Sequence, residues 1–265
     1  MENFNYHRPA KPADAVKLMK KVADGKFMSG GMTLLPTMKQ GLATPSDIID
    51  LGGLDNSGVA AAAGKVTVKA GTPHADVAAD KGVKSAIPAL AKLASGIGDP
   101  HVRNRGTIGG SIANNDPAAD YPAAVVALNA TVVTSARKIA GDKFFTDMFT
   151  TALKDDEIVT AVEFPVPKRA AYVKFPNPAS RYAMVGVFVA ELGDGTVRVA
   201  VTGAGPKVFR VPDMEKALQA KFSADAIAGI SVKANGLNND IHASPEYRAH
   251  LVNVLARRAV AAAAK

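Results

Sequence analysis

Residues 98–122 read GDPHVRNRGTIGGSIANNDPAADYP. Glycine, asparagine, aspartate and arginine crowd this stretch, and its few apolar residues follow neither the period of a strand nor that of a helix. The composition predicts a long loop, and a long loop inside a compact domain is usually functional. At its centre stand Gly109 and Gly110, flanked by Thr107, Ile108 and Ser111. Glycine lacks a Cβ, so main-chain N–H groups beside it can approach an anion closely. A plain turn is the alternative reading of such a pair. A second pair, Gly30 and Gly31, lies in the run Met28-Ser29-Gly30-Gly31-Met32-Thr33 and again leads into a helix-compatible segment. Two such loops in one chain suit the two phosphates of a dinucleotide. Neither fits GxGxxG or GxxxxGK[ST], so a Rossmann or Walker site is not indicated.

Outward from these loops the chain divides. The first fifty residues read β-α-β-α-β, with strands at 3–7, 26–29 and 47–51 and helices at 13–22 and 37–41. A second unit begins with the alternating strand 65–70 and a helix at 73–81 that opens on a proline. A buried helix at 87–95, the loop stretch 96–115, a helix at 117–128, a strand at 131–135, a helix at 144–153 and a strand at 158–165 complete it. Pro165, Pro167, Pro176 and Pro178 then crowd together, which places a boundary near Lys168. Beyond it, 171–175, 184–192 and 197–202 read as antiparallel strands, the last two joined at Gly193-Asp194-Gly195, and helices follow Pro212. The fold class is α+β. The expected division is 1–168, itself split near 1–55 and 56–168, and 169–265.

Composition narrows the chemistry. The 265 residues contain 48% apolar and 21% charged side chains, an ordinary globular balance. No run approaches the ~20 apolar residues that a bilayer span needs. The first twelve residues carry Glu2, His7, Arg8 and Lys11 without an apolar stretch, so they do not read as a secretory signal and a cytoplasmic location is the expectation. There are no cysteines, which excludes disulfides, cysteine nucleophiles and a cysteine-held iron–sulfur cluster within this chain. The five histidines form no HxH or HxxxH pair, so no metal site is expected. The net charge of +8 is spread along the chain and aromatics are only 6%, which argues against nucleic acid and for a solvated basic surface, an anionic ligand or an acidic partner.

The run from Gly98 to Pro122, together with Ser29-Gly30-Gly31-Met32-Thr33-Leu34-Leu35-Pro36, resembles the FAD-binding medium subunit of the molybdenum hydroxylases, above all that of carbon monoxide dehydrogenase and its relatives. The resemblance extends along essentially the whole chain. It implies an FAD-binding domain of the vanillyl-alcohol-oxidase (PCMH) type, made of two α/β subdomains that hold FAD between them. It also implies a C-terminal domain with a three-stranded antiparallel sheet and helices. A large molybdopterin subunit and a small [2Fe–2S] subunit would be partners, as a dimer of heterotrimers, in the cytoplasm or at the inner face of the membrane.

The same resemblance assigns residues. Lys26, Met28, Ser29, Gly30, Gly31, Met32 and Thr33 fall on the loop that contacts the FAD diphosphate, with Met32 standing where carbon monoxide dehydrogenase relatives carry histidine. Thr107, Gly109, Gly110, Ser111 and Asn114 fall on the second flavin loop. Asp120 matches an acidic residue that binds the ribityl or ribose hydroxyls, and an N-cap is its plain alternative. Ile97 and Val159 match apolar positions beside the ring, although both also suit an ordinary core. Arg103 is expected to brace the loop against a carboxylate rather than to touch phosphate. Lys174 matches a lysine at the pyrimidine end of the isoalloxazine, where a cation stabilises negative charge on the reduced ring. Tyr182 is expected to cover the ring. No general base, nucleophile or metal is assigned. The implied role is an electron relay, with a self-contained FAD oxidase and a non-enzymatic nucleotide-binding module as alternatives.

Overall fold

The computed structural model describes residues 1–264. The first unit is β1 (Asn5–His7), α1 (Pro12–Met19), β2 (Gly25–Met28), α2 (Leu34–Lys39) and β3 (Asp47–Asp50). Its three strands are parallel in the order β1-β3-β2. Two apolar residues of β3, Ile48 and Ile49, are fully buried, as expected of a central parallel strand covered by helices. Helix α2 begins three residues earlier than the sequence suggests and takes in Leu34 to Pro36.

The second unit begins with β4 (Val59–Ala62), β5 (Lys65–Lys69), α3 (His74–Ala79), α4 (Lys81–Ala86), α5 (Pro88–Ser95), α6 (Pro100–Arg105), α7 (Ile108–Asn114) and α8 (Tyr121–Ala127). It continues through β6 (Thr131–Thr134), β7 (Lys138–Ala140), α9 (Gly141–Phe144), β8 (Phe145–Asp147), β9 (Thr150–Thr151) and β10 (Val159–Pro165). One antiparallel sheet, ordered β4-β5-β10-β6-β7, carries these helices. Three expectations fail here. The stretch 96–115 is not a loop throughout but holds α6 and α7. Each begins at a capping side chain: Asp99 Oδ1 accepts from Val102 N–H at 2.9 Å, and Thr107 Oγ1 accepts from Gly110 N–H at 3.1 Å. The segment 144–153 is not a helix; after α9 it turns into the β8–β9 hairpin. The expected helix 73–81 also breaks at Asp80, whose Oδ1 accepts from Val83 N–H at 2.8 Å to start α4.

The third unit contains β11 (Arg169–Pro176), β12 (Ala183–Glu191), β13 (Val197–Thr202), β14 (Phe209–Arg210), α10 (Pro212–Ala220) and α11 (Pro245–Ala263). The three long antiparallel strands read from the sequence are present, and the two-residue β14 adds a fourth at the edge. Lys265, at the end of the alanine-rich tail, lies outside the described residues. The pleat sends alternate residues to opposite faces. On β12, Val185, Val187 and Val189 pack with Leu251, Leu255 and Val260 of α11. The opposite face, with Tyr172, Phe188 and Ala200, joins the core of the second unit beside Leu90, Leu93 and Val125. The C-terminal sheet is therefore buried on both sides, and burial of a large side chain such as Phe188 contributes about 1.5–3 kcal/mol.

Candidate functional site

The two glycine loops meet. Ser29 Oγ and Thr107 Oγ1 lie 2.9 Å apart, across seventy-eight residues of sequence. Behind this contact the backbones touch: a Cβ added to Gly30 would sit 1.9 Å from the Arg105 carbonyl oxygen. Gly31 adopts φ +74°, a left-handed conformation that glycine takes without strain. Gly109 lies against Ala70, and its N–H donates to the Ala70 carbonyl at 2.8 Å, which pins the start of α7 to the end of β5. Pro73 and Thr107 form an isolated antiparallel bridge on the other side.

The loops differ in what they leave available. In the second, Ile108 N–H donates to Thr72 O, Gly109 N–H to Ala70 O, Gly110 N–H to Thr107 Oγ1 and Ser111 N–H to Thr107 O. The main-chain donors of residues 108–111 are thus spent on holding the loop's shape, and Ser111 and Asn114 offer side chains. In the first, the N–H groups of Gly30, Gly31, Met32 and Thr33 donate to no protein acceptor among the described residues. Four open amides on a glycine loop that meets Thr107 of the second match the acceptor-rich surface of a pyrophosphate. The residues thus fit the diphosphate of FAD.

A second cluster forms around Lys174 on β11. Its ammonium donates to Gly96 O at 2.8 Å and Arg181 O at 2.9 Å, and pairs with Asp120 Oδ1 at 3.0 Å. It thereby ties the segments carrying Ile97, Tyr182 and Asp120 to one point. Asp120 occupies the N-cap of α8, but its side chain does not cap the helix. It is buried and also accepts from the Tyr172 hydroxyl at 2.6 Å. Burial raises the Asp120 pKa, opposed by the Lys174 charge and the Tyr172 hydrogen bond. Burial, then the Asp120 charge, pushes the Tyr172 phenol well above its usual value. Tyr172 is a member of this cluster that the sequence reading missed. The signal was its place two residues before Lys174, on the same side of a strand.

Ile97 is buried and Tyr182 is half exposed at 51%. Met28 lies beneath the first loop, 3.5 Å from the position of a Cβ on Gly31. Lys26 is exposed on β2 and Met32 lies at the surface. Val159 is buried in the core of the second unit, paired with Thr134, on the strand β10 that packs against α7. Arg103 does brace its loop, but through carbonyls, not a carboxylate: its Nη1 donates to Ile97 O at 3.0 Å and Gly98 O at 2.9 Å. Under the second loop, His74 is buried against Gly106 and the Tyr121 ring. Burial, reinforced by the Arg103 charge, lowers the His74 pKa to about 4. Neither His74 Nδ1 nor the Tyr121 hydroxyl has a protein partner among the described residues.

Two family models cover nearly the whole chain. Residues 2–167 match the family described as the FAD binding domain in molybdopterin dehydrogenase. Residues 170–263 match the CO dehydrogenase flavoprotein C-terminal domain. The chain belongs to this FAD-binding family of the molybdopterin dehydrogenases, the family read from its two glycine loops. It is 36% identical to the nicotine 6-hydroxylase medium subunit of Paenarthrobacter nicotinovorans, over 97% of this chain and 96% of that one. It is 30% identical to the carbon monoxide dehydrogenase medium chain of Hydrogenophaga pseudoflava, over 98% and 96%. Among solved structures, the reconstituted CO dehydrogenase from Oligotropha carboxidovorans superposes with a TM-score of 0.90 at 28% identity, covering 99% of this chain and 98% of that one. Quinoline 2-oxidoreductase from Pseudomonas putida 86 superposes at 0.88 with 26% identity, over 98% and 97%.

Proposed function

We propose that this chain is the FAD-carrying, electron-transferring medium subunit of a heteromeric molybdenum dehydrogenase. Its partners would be a large molybdopterin subunit and a small [2Fe–2S] subunit, in a dimer of heterotrimers. The observation that carries the reading is the junction of the two loops at Ser29 and Thr107, with the amides of residues 30–33 left open beside it. FAD, when bound, supplies a centre that takes up electrons singly and releases them singly or in pairs. The chain's own residues position it. Gly30, Gly31, Met32 and Thr33 offer main-chain N–H groups to the diphosphate, and Ser111 and Asn114 add side-chain donors. Thr107 and Gly110 shape the second loop, with Gly109 as its anchor to β5. Lys174 sets the positive charge beside the ring and pairs with Asp120, which accepts from Tyr172 and faces the ribityl or ribose hydroxyls, while Ile97 and Tyr182 border the ring. Lys26 stands just before the diphosphate loop, and Val159 takes an apolar position beside the ring. Residues 1–168 form the FAD-binding part, subdivided near 55, and 169–265 the C-terminal part. No helix among the described residues is long and apolar enough to cross a membrane. A cytoplasmic site of action, at the inner membrane face or free, fits that.

The experiment is purification of the assembled complex, followed by release and identification of the flavin. FAD at one per medium chain, reduced by the substrate of the molybdenum subunit only when the [2Fe–2S] subunit is present, is the expected result. A correctly assembled complex without FAD rules the proposal out. Turnover of a small substrate by this chain alone would instead make it a self-contained oxidase.

A further inference from the structure

A glycine stands in the middle of the most deeply buried strand. β12 reads Ala-Met-Val-Gly-Val-Phe-Val-Ala-Glu, and every residue but the last is buried. Glycine weakens a strand interior, because it has no side chain to pack. Gly186 does not take a positive φ, so no turn requires it. What it provides is space. A Cβ at position 186 would overlap the Tyr172 hydroxyl and stand 3.0 Å from both Tyr172 Cζ and Thr202 Cγ2. On the neighbouring β11, Gly186 is the register partner of Lys174, and Tyr172 lies two residues before it. The phenol therefore leans across the sheet into the room that the missing side chain leaves.

The hydroxyl seated there donates to Asp120 Oδ1 at 2.6 Å, and it has no other partner among the described residues. The second partner of the buried carboxyl is the Lys174 ammonium, 3.0 Å from Oδ1 and 3.3 Å from Oδ2. Lys174 has three N–H donors, and Gly96 O, Arg181 O and Asp120 take all three. Burial disfavours the charged form of Asp120, and Lys174 and Tyr172 oppose it. Tyr121, next on α8, feels the Asp120 charge, and His74 of α3 packs on the Tyr121 ring. The other charges on elements packed against α8 are engaged elsewhere: Arg198 with Asp142, Arg210 with Glu215 and Glu191 with Arg169, while Lys92 and Lys143 are exposed.

We propose that Tyr172 and Gly186 are positioning residues of the flavin site: Gly186 makes room for the Tyr172 hydroxyl, and that hydroxyl holds Asp120 as a carboxylate ready to accept from the cofactor's hydroxyl groups. The proposal rests on the function argued above. A carboxylate only accepts hydrogen bonds, whereas a protonated carboxyl also donates and loses acceptor strength. FAD affinity is then full above the pH at which Asp120 takes up a proton and is lost as pH falls through it. Removing the Tyr172 donor takes support from the charged form alone, so the loss begins at higher pH.

The test uses Tyr172→Phe, which keeps the ring in the core and removes only the hydroxyl, and Gly186→Ala, which keeps the hydroxyl and fills its place. FAD affinity of the assembled complex, read by flavin fluorescence from pH 5 to pH 9, is compared with melting temperature. Tyr172→Phe should bind FAD about tenfold or more weakly at pH 7, the scale of a hydrogen bond to a charged group, with the acid loss displaced to higher pH. Gly186→Ala should act in the same direction, and the double variant should lose no more than Tyr172→Phe alone, because both act through one hydroxyl. Tyr172→Phe adds no atom, so it carries the test should the alanine not fit. A role in packing alone would lower the melting temperature and leave the pH profile in place; that outcome overturns the proposal, as do additive effects of the two substitutions. Carbon-13 NMR of the Asp120 carboxyl in the FAD-free chain gives a second reading, and its titration should move to higher pH in Tyr172→Phe. A wild-type complex without FAD would defeat the functional reading itself, whereas an Asp120 titration that ignores the loss of the hydroxyl defeats the role of Tyr172.

Discussion

Gly30 has no room for a side chain, because a Cβ would meet the Arg105 carbonyl at 1.9 Å and that carbonyl belongs to the backbone. Gly30→Ala should separate the loops and empty the site while the distant cores stay folded. FAD content per chain, measured beside far-ultraviolet circular dichroism, checks this; full occupancy would refute it. His74 gives a pH-dependent prediction. Its pKa falls from 6.5 to about 4 in the folded chain, because burial penalises the charged ring. The unfolded chain then binds more protons between those values, so stability is full above the unfolded value and declines as pH falls toward the folded one. The span corresponds to about 3 kcal/mol at most. Glu157 shifts in another window: the Arg137 hydrogen bonds are the main cause of its pKa falling from 4.5 to about 2, so its contribution is lost only at lower pH. Urea denaturation of wild type and His74→Gln at pH 7 and pH 5 should show a smaller pH-dependent loss in the variant. Equal losses would show that His74 is not buried in its neutral form. The glycines were legible in the sequence because their chemistry is local. Tyr172 and Asn115 were not, because each acts through partners more than thirty residues away.

The β8–β9 hairpin shows why an element can be misread from its own residues. Residues 144–153 carry enough apolar side chains to suggest a helix, but Asn115 takes the carbonyls of Asp147 and Thr150 that helical bonding would use. A tertiary partner thus overrides local preference. In α6 and α7 the starting signals, Asp99-Pro100 and Thr107, were present in the sequence but hidden among residues that also suit loops. The long strands of the C-terminal sheet were readable because nearly every position of β12 is apolar, as a strand buried on both faces requires. The same two-sidedness makes β12 sensitive. Phe188 lies in one cluster with Ile97 and Tyr172. Phe188→Ala should cost about 3–5 kcal/mol, read by urea denaturation, and should weaken FAD retention. Val187, facing α11, belongs to the other cluster, so truncating it should lower stability with FAD affinity nearly intact. Equal effects on affinity would show that the two faces of the sheet are not separate supports.

Across the whole molecule, the N-terminal and C-terminal parts hold one site jointly. Lys174 and Tyr172 of β11 fix Asp120, while Thr202 at the end of β13 fixes the chain just before it. The Thr202 hydroxyl lies 3.1 Å from Pro117 O and 2.6 Å from Ala119 O, and Gly203 N–H donates to Pro117 O at 2.8 Å. An ion pair between Arg198 and Asp142 and the shared core around Phe188 strengthen the same junction. FAD binding should therefore stabilise the chain as one cooperative unit. A ligand that binds only the folded state adds about 2.7 kcal/mol at a hundredfold excess over its Kd. The expected outcome is a single thermal transition, by fluorescence of the tyrosines, whose midpoint rises with added FAD. Thr202→Val keeps the shape and removes the donor, which leaves the Ala119 carbonyl without it while Pro117 O keeps the Gly203 N–H, and should cost about 1 kcal/mol. Because the loop at 117–120 then loses one tether, the variant should also bind FAD more weakly, and the same FAD concentration should raise its midpoint by less. A variant that loses stability but keeps the full FAD-dependent rise would show that the C-terminal sheet supports the fold without shaping the flavin site.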